Sequence, residues 1–153
     1  ARTGIMAKVL AYNNSLTTLH LSRKAIEDTA GVEIARILHT NTTLRKLELE
    51  FNRLGQLTAK EFGLALLRNN TLRYLDLESN QLTSDDGETP TGMLKHFIPA
   101  LKKNTALLSL NLGNNKLDAE IGRAFDDVLD YNYTLIDFEF GFNNFTMDQV
   151  RSI

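Results

Sequence analysis

Residues 44–54 read LRKLELEFNRL, and this stretch decides the fold. Leu44, Leu47 and Leu49 stand at the first, fourth and sixth positions, Asn52 at the ninth and Leu54 at the eleventh. Alternation at Leu47 and Leu49 gives a short strand with one apolar face. The same spelling returns as LRYLDLESNQL at 72–82 and LLSLNLGNNKL at 107–117. It returns with phenylalanine for leucine at 135–145, in Leu135, Phe138, Phe140, Asn143 and Phe145. At the other end Leu16, Leu19, Leu21 and Ile26 fit it, with Lys24 in place of the asparagine. The first leucines fall at 16, 44, 72, 107 and 135, so a period of 28 is broken by one insertion of seven.

A second pattern runs in phase with the first. An asparagine precedes each first leucine by three residues: Asn13, Asn41, Asn69, Asn104 and Asn132. Before each lies an amphipathic stretch, with apolar residues spaced by three and four: Met6, Val9, Leu10, then Ile34, Ile37, Leu38, and so on to Phe125, Val128, Leu129. That spacing is helical, and the asparagine is expected to end the helix in a left-handed conformation. Each unit is therefore predicted as strand, loop, helix and return turn. Such a unit cannot bury its apolar face alone, so units stack over one core. Strands stack about 4.8 Å apart and packed helices need about 8–10 Å. The mismatch predicts a right-handed α/β solenoid, bent into a horseshoe arc with parallel strands inside and helices outside. Asn52, Asn80, Asn115 and Asn143 are expected to satisfy loop backbone groups at the strand ends. Pro99 is expected to kink or loosen the fourth helix.

The period, the LxxLxLxxNxL core and the NxxL return resemble ribonuclease-inhibitor-like leucine-rich repeats, as in tropomodulin-type, CARMIL-type and NOD-receptor proteins. The resemblance covers nearly the whole chain. It implies partners docked on the concave sheet or its flanking loops, and a cytoplasmic location; it does not select one function. The chain is read as one domain, 1–153, of about five repeats. A helix-packing set with no strand before it, and a last unit ending in mid-helix at Ile153, are the reasons to expect a segment of a longer protein.

Composition narrows the function. The 153 residues carry 42% hydrophobic and 24% charged residues and a net charge of −2, with no overall basic signature for nucleic acid. No apolar run approaches the roughly 18 residues that span a bilayer. There is no cysteine, hence no disulfide and no thiolate metal site. No phosphate-binding glycine loop occurs, and His20, His39 and His96 fall in different units without metal or nucleophile spacing. No catalytic residue, cofactor or metal is predicted, and the chain is read as a non-enzyme. The sequons at Asn13, Asn41, Asn69 and Asn132 coincide with the structural asparagine, which explains them without sugar.

The expected function is a protein-interaction scaffold with a cytoskeletal or ciliary setting. The alternatives are a ligand-sensing domain of an immune-type receptor or pathogen effector, and a GTPase-regulating module. The outward strand positions supply the candidate concave site: His20, Lys46, Glu48, Glu50, Tyr74, Asp76, Glu78, Asn111, Asp137 and Glu139. Six are carboxylates, which implies a protein partner with a basic surface and not nucleic acid, membrane or a small-molecule substrate. Arg45 and Arg73 are expected to flank the sheet and cancel part of this charge. Tyr74 is the expected exposed aromatic anchor, whereas Phe51 and Phe142 are expected to tuck into the loops after their strands. The insertion, SDDGETPTG at 84–92, is the second candidate, through Asp85, Asp86 and Glu88. Its spacing lacks the calcium-loop pattern.

Overall fold

A computed structural model describes residues 2–83 and 90–143, with side chains from Met6 onward. Among the described residues five three-residue strands alternate with helices: α1 (Arg2–Tyr12), β1 (Thr18–His20), α2 (Asp28–Ile37), β2 (Lys46–Glu48), α3 (Gln56–Leu66), β3 (Tyr74–Asp76), α4 (Ile98–Lys103), β4 (Ser109–Asn111), α5 (Ala119–Leu129) and β5 (Asp137–Glu139). The strands form one parallel sheet in sequence order. Leu19, Leu47, Leu75, Leu110 and Phe138 pair rung to rung across it. The repeat thus keeps each leucine beside its equivalent, as the 28-residue period requires. The core is the column of Leu47, Leu75 and Leu110 backed by Ile34, Phe62, Phe97 and Phe125, each 2% exposed or less.

In the second unit the helix set Ile34, Ile37, Leu38 is fully buried. In α1 the equivalent set is looser: Met6 and Leu10 are half-buried and Val9 stands 62% exposed. Pro99 does loosen its helix. The six residues Gly92–Phe97 form a π-helical stretch that runs into α4, with Pro99 in the first turn of the α-helix. Proline has no N–H to donate and its ring crowds the carbonyl four residues back, so the turn before it opens.

Two expectations are corrected. The recurring asparagines do not adopt left-handed backbone; Asn104 is extended, at φ −70° and ψ 127°. Their side chains explain their recurrence instead. The Oδ1 of Asn41 accepts from Thr43 N and Leu44 N, and its Nδ2 donates to Leu10 O in the preceding unit. Positive φ falls elsewhere: on Phe51, Ser79, Asn114 and Phe142, each just before the asparagine that follows a strand, on Arg23 at the equivalent place before Lys24, and on Ala25 and Lys116 just beyond it. That geometry also overturns the expectation that Phe51 and Phe142 tuck inward. They are 41% and 90% exposed: Asn52 is the buried residue of that loop, and Phe51, one residue earlier, is left outside it.

Candidate partner-binding surface

The outward positions of the sheet form three rows across the strands. One runs Thr18, Lys46, Tyr74, Ser109, Asp137, and the next His20, Glu48, Asp76, Asn111, Glu139. The third continues past the strand ends, where Arg23 N donates to Glu50 O and Phe51 N to Glu78 O. Parallel pairing in register therefore brings residues about 28 positions apart in sequence into one patch.

At its first-repeat end the patch is charge-balanced. Lys46 Nζ lies 3.0 Å from Glu48 Oε1, His20 Nδ1 bonds Glu48 Oε2, and Lys46 Nζ sits 4.6 Å from the centre of the Tyr74 ring. Burial alone would raise the Glu48 carboxyl, but the bonds and charges of Lys46 and His20 outweigh it and hold the group below its ordinary value. Tyr74, expected as an exposed anchor, is half-buried; burial and the Asp76 charge raise its hydroxyl.

The rest of the patch holds carboxylates with no cation bonded to them. Among the described residues Glu50, Asp76, Glu78, Asp137 and Glu139 form no ion pair. Their hydrogen bonds come from neutral donors: Glu78 N and Tyr74 OH to Asp76, Asn111 Nδ2 to Glu78, Ser109 Oγ to Asp137, and Gly141 N to Glu139. Glu50 Oε2 is buried with no donor at all. Asp76 is 8% exposed, and its pKa is raised to about 6, first by burial and then by the charges of Glu50 and Glu78 against the backbone bond from Glu78. Like charges on adjacent strands are unfavourable, so this arrangement costs the free chain stability that a cation would restore.

Arg45 and Arg73, expected to offset part of this charge, form no ion pair with these carboxylates among the described residues. Their guanidinium groups bond main-chain oxygens, Arg45 to Thr42 O at 3.2 Å and Arg73 to Asn70 O at 3.0 Å. They stand on a further row, just before the strands, that sequence reading did not recognise as continuous. Arg45 N donates to Thr17 O, Arg73 N to Arg45 O, Leu108 N to Arg73 O and Ile136 N to Leu108 O. Comparing the residue after each first leucine would have disclosed it. The insertion residues Asp85, Asp86 and Glu88 lie outside the described residues, as does the end of the last unit. No group of three or more His, Asp or Glu side chains fit for a metal occurs among the described residues, and no helix there is long and apolar enough to cross a membrane.

Stacked strand–helix units with laddered asparagines define a repeat solenoid. A leucine-rich-repeat family model matches residues 12–35, 40–56, 68–89 and 103–125, more than half of the chain. The chain belongs to the leucine-rich-repeat family. Among solved structures it is similar to "Leiomodin-1 Actin-Binding Site 2 (ABS2)", at 24% identity and TM-score 0.67 over 85% of this chain and 71% of that one. It is also similar to the Caenorhabditis elegans tropomodulin C-terminal domain, at 12% identity and TM-score 0.78 over 97% of this chain and 87% of that one. At these identities the likeness is one of fold, and the fold is a leucine-rich-repeat α/β solenoid of the tropomodulin type. No curated protein matches the sequence.

Proposed function

We propose that the chain is a non-catalytic scaffold that binds a protein partner, and that a basic surface of this partner docks on the concave sheet over Tyr74, Asp76, Glu78, Asn111, Asp137 and Glu139. The observation that carries this reading is the set of carboxylates on that face with no ion pair among the described residues. Charge of one sign on an open concave face steers an oppositely charged partner and favours its register. Charge reversal tests it. Glu78→Lys with Glu139→Lys should weaken binding of an arginine-rich peptide at least about tenfold while the melting temperature holds. Asp76 is unsuited to reversal because it is buried. Undiminished binding would remove the concave face as the site.

A cytoskeletal setting is the second part of the reading, supported by the solved neighbours, one of which is titled an actin-binding site. Co-sedimentation of the chain with purified actin filaments tests it: saturable pelleting supports actin as partner, and its absence removes actin and leaves the concave-face reading to the peptide experiment.

A further inference from the structure

We propose that the row just before the strands is a second docking surface, which takes a protein segment carrying a large apolar side chain with carboxylates a few residues away. Thr17, Arg45, Arg73, Leu108 and Ile136 succeed one another through backbone bonds of 2.7–2.9 Å. Position for position these residues occupy the same place in five units, yet the row changes character along its length, from polar to cationic to apolar. The core does not demand the change. Leu108 lies between two rungs of the row and is still 39% exposed, and Ile136 is 79% exposed.

A neighbouring column changes with it. The residues after the recurring asparagines are Asn14, Thr42, Asn70, Thr105 and Tyr133. Polar side chains fill the first four places, and Tyr133, 88% exposed, joins the apolar end. Leu108 and Ile136 thus form an apolar step on one rim, with the exposed Tyr133 three residues before Ile136 and its hydroxyl bonded back to Asp130 O, and the step follows two guanidinium groups that meet no carboxylate among the described residues. Each guanidinium has five N–H groups, and the bonds formed here, to Thr42 O and to Asn70 O and Ala106 O, involve one nitrogen of each. The free donors suit bidentate carboxylates.

Charge complementarity sets the occupant apart from that of the concave face, which faces cations. Rungs lie about 4.8 Å apart, so Leu108 to Arg45 is about 10 Å and Ile136 to Arg45 about 14 Å. Three to four residues of extended chain span that distance. The complementary segment places its apolar anchor on Leu108 and Ile136, and its acids two to four residues away on Arg73 and Arg45.

Three short fluorescent peptides test the proposal: one with a leucine anchor and glutamates at those spacings, one with lysines for the glutamates, and one with alanine for the anchor. The first should bind saturably, and the other two at least about tenfold more weakly. Nuclear magnetic resonance should place its contacts at Arg45, Arg73, Leu108, Tyr133 and Ile136. Arg45→Glu with Arg73→Glu, and separately Leu108→Ser with Ile136→Ser, should each weaken it at least about tenfold. The concave Glu78→Lys, Glu139→Lys variant should bind it as the unaltered chain does. These side chains are outside the core, and a thermal melt of each variant verifies folding. Failure of the first peptide to bind at millimolar concentration, equal binding of all three, or contacts mapped elsewhere would overturn the proposal.

Discussion

The Asn80 side-chain amide donates to the carbonyl of Leu49, 31 residues earlier, at 3.0 Å. Its Oδ1 accepts from Leu54 N at 3.0 Å, and its Nδ2 also reaches Leu77 O at 3.0 Å. One side chain therefore closes its own loop and holds the loop of the unit before it. Asn52, Asn115 and Asn143 repeat the arrangement. Asn80→Ala would leave several main-chain groups buried and unpaired. It should lower stability by about 2–4 kcal/mol, against less than about 0.5 kcal/mol for the exposed Asn70→Ala; urea unfolding of both measures the difference.

Asp76 predicts a pH dependence of the opposite sense to most carboxylates. Its pKa is raised from 3.8 to about 6 in the folded chain, so the folded state binds its proton more tightly than the unfolded state. The stability this proton contributes is fully present below about pH 3.8 and is lost as pH rises through about 6. Asp76→Asn keeps the shape and removes the titration. The variant should gain stability relative to the unaltered chain as pH rises from 4 to 7, by on the order of 2 kcal/mol at pH 7. Urea midpoints of the two proteins across that range give the measurement; a gap that does not widen with pH would show Asp76 to be ionised at little cost.

Gly63 predicts a steric limit. A Cβ at this position of α3 would stand 2.4 Å from the main-chain carbon of His96 and 2.7 Å from Phe97 N, in the π-helical stretch. Main chain cannot step aside as a flexible side-chain end can. Gly63→Ala should destabilise by about 1–3 kcal/mol, despite the better helix propensity of alanine; its melting temperature against the unaltered chain is the test.

The ladder of core leucines predicts a further loss. Leu75 is fully buried and pairs in register between Leu47 and Leu110. Leu75→Ala should cost about 2–5 kcal/mol through lost burial and the cavity left between fixed strands. Equilibrium unfolding measures it, with a cost under about 1 kcal/mol marking a sheet able to close over the gap.

The fold was legible because every unit spells the same apolar positions, and a parallel sheet in register turns sequence period into spatial adjacency. Leu19, Leu47, Leu75, Leu110 and Phe138 needed nothing more. The concave row was legible for the same reason, since alternation along a strand sets its outward face. What escaped were properties that depend on neighbours at a distance. Asp76 and Glu78 read alike in the sequence, but only Asp76 is deeply buried. Asn41 and its equivalents suggested a left-handed turn by residue type, whereas their side chains satisfy the next turn and the unit before it. Phe51 reads as core by hydrophobicity, yet positive φ at that position places it outside, under the Arg23 guanidinium at 4.1 Å.

Titration of the isotopically labelled chain with an arginine-rich peptide, followed residue by residue by nuclear magnetic resonance beside a glutamine-substituted control, measures the concave docking surface directly. Docking on the concave face gives saturable shifts at Tyr74, Glu78, Asn111, Asp137 and Glu139 with the arginine peptide and none with the control. Shifts gathered on the helices, or the same map from both peptides, would contradict it.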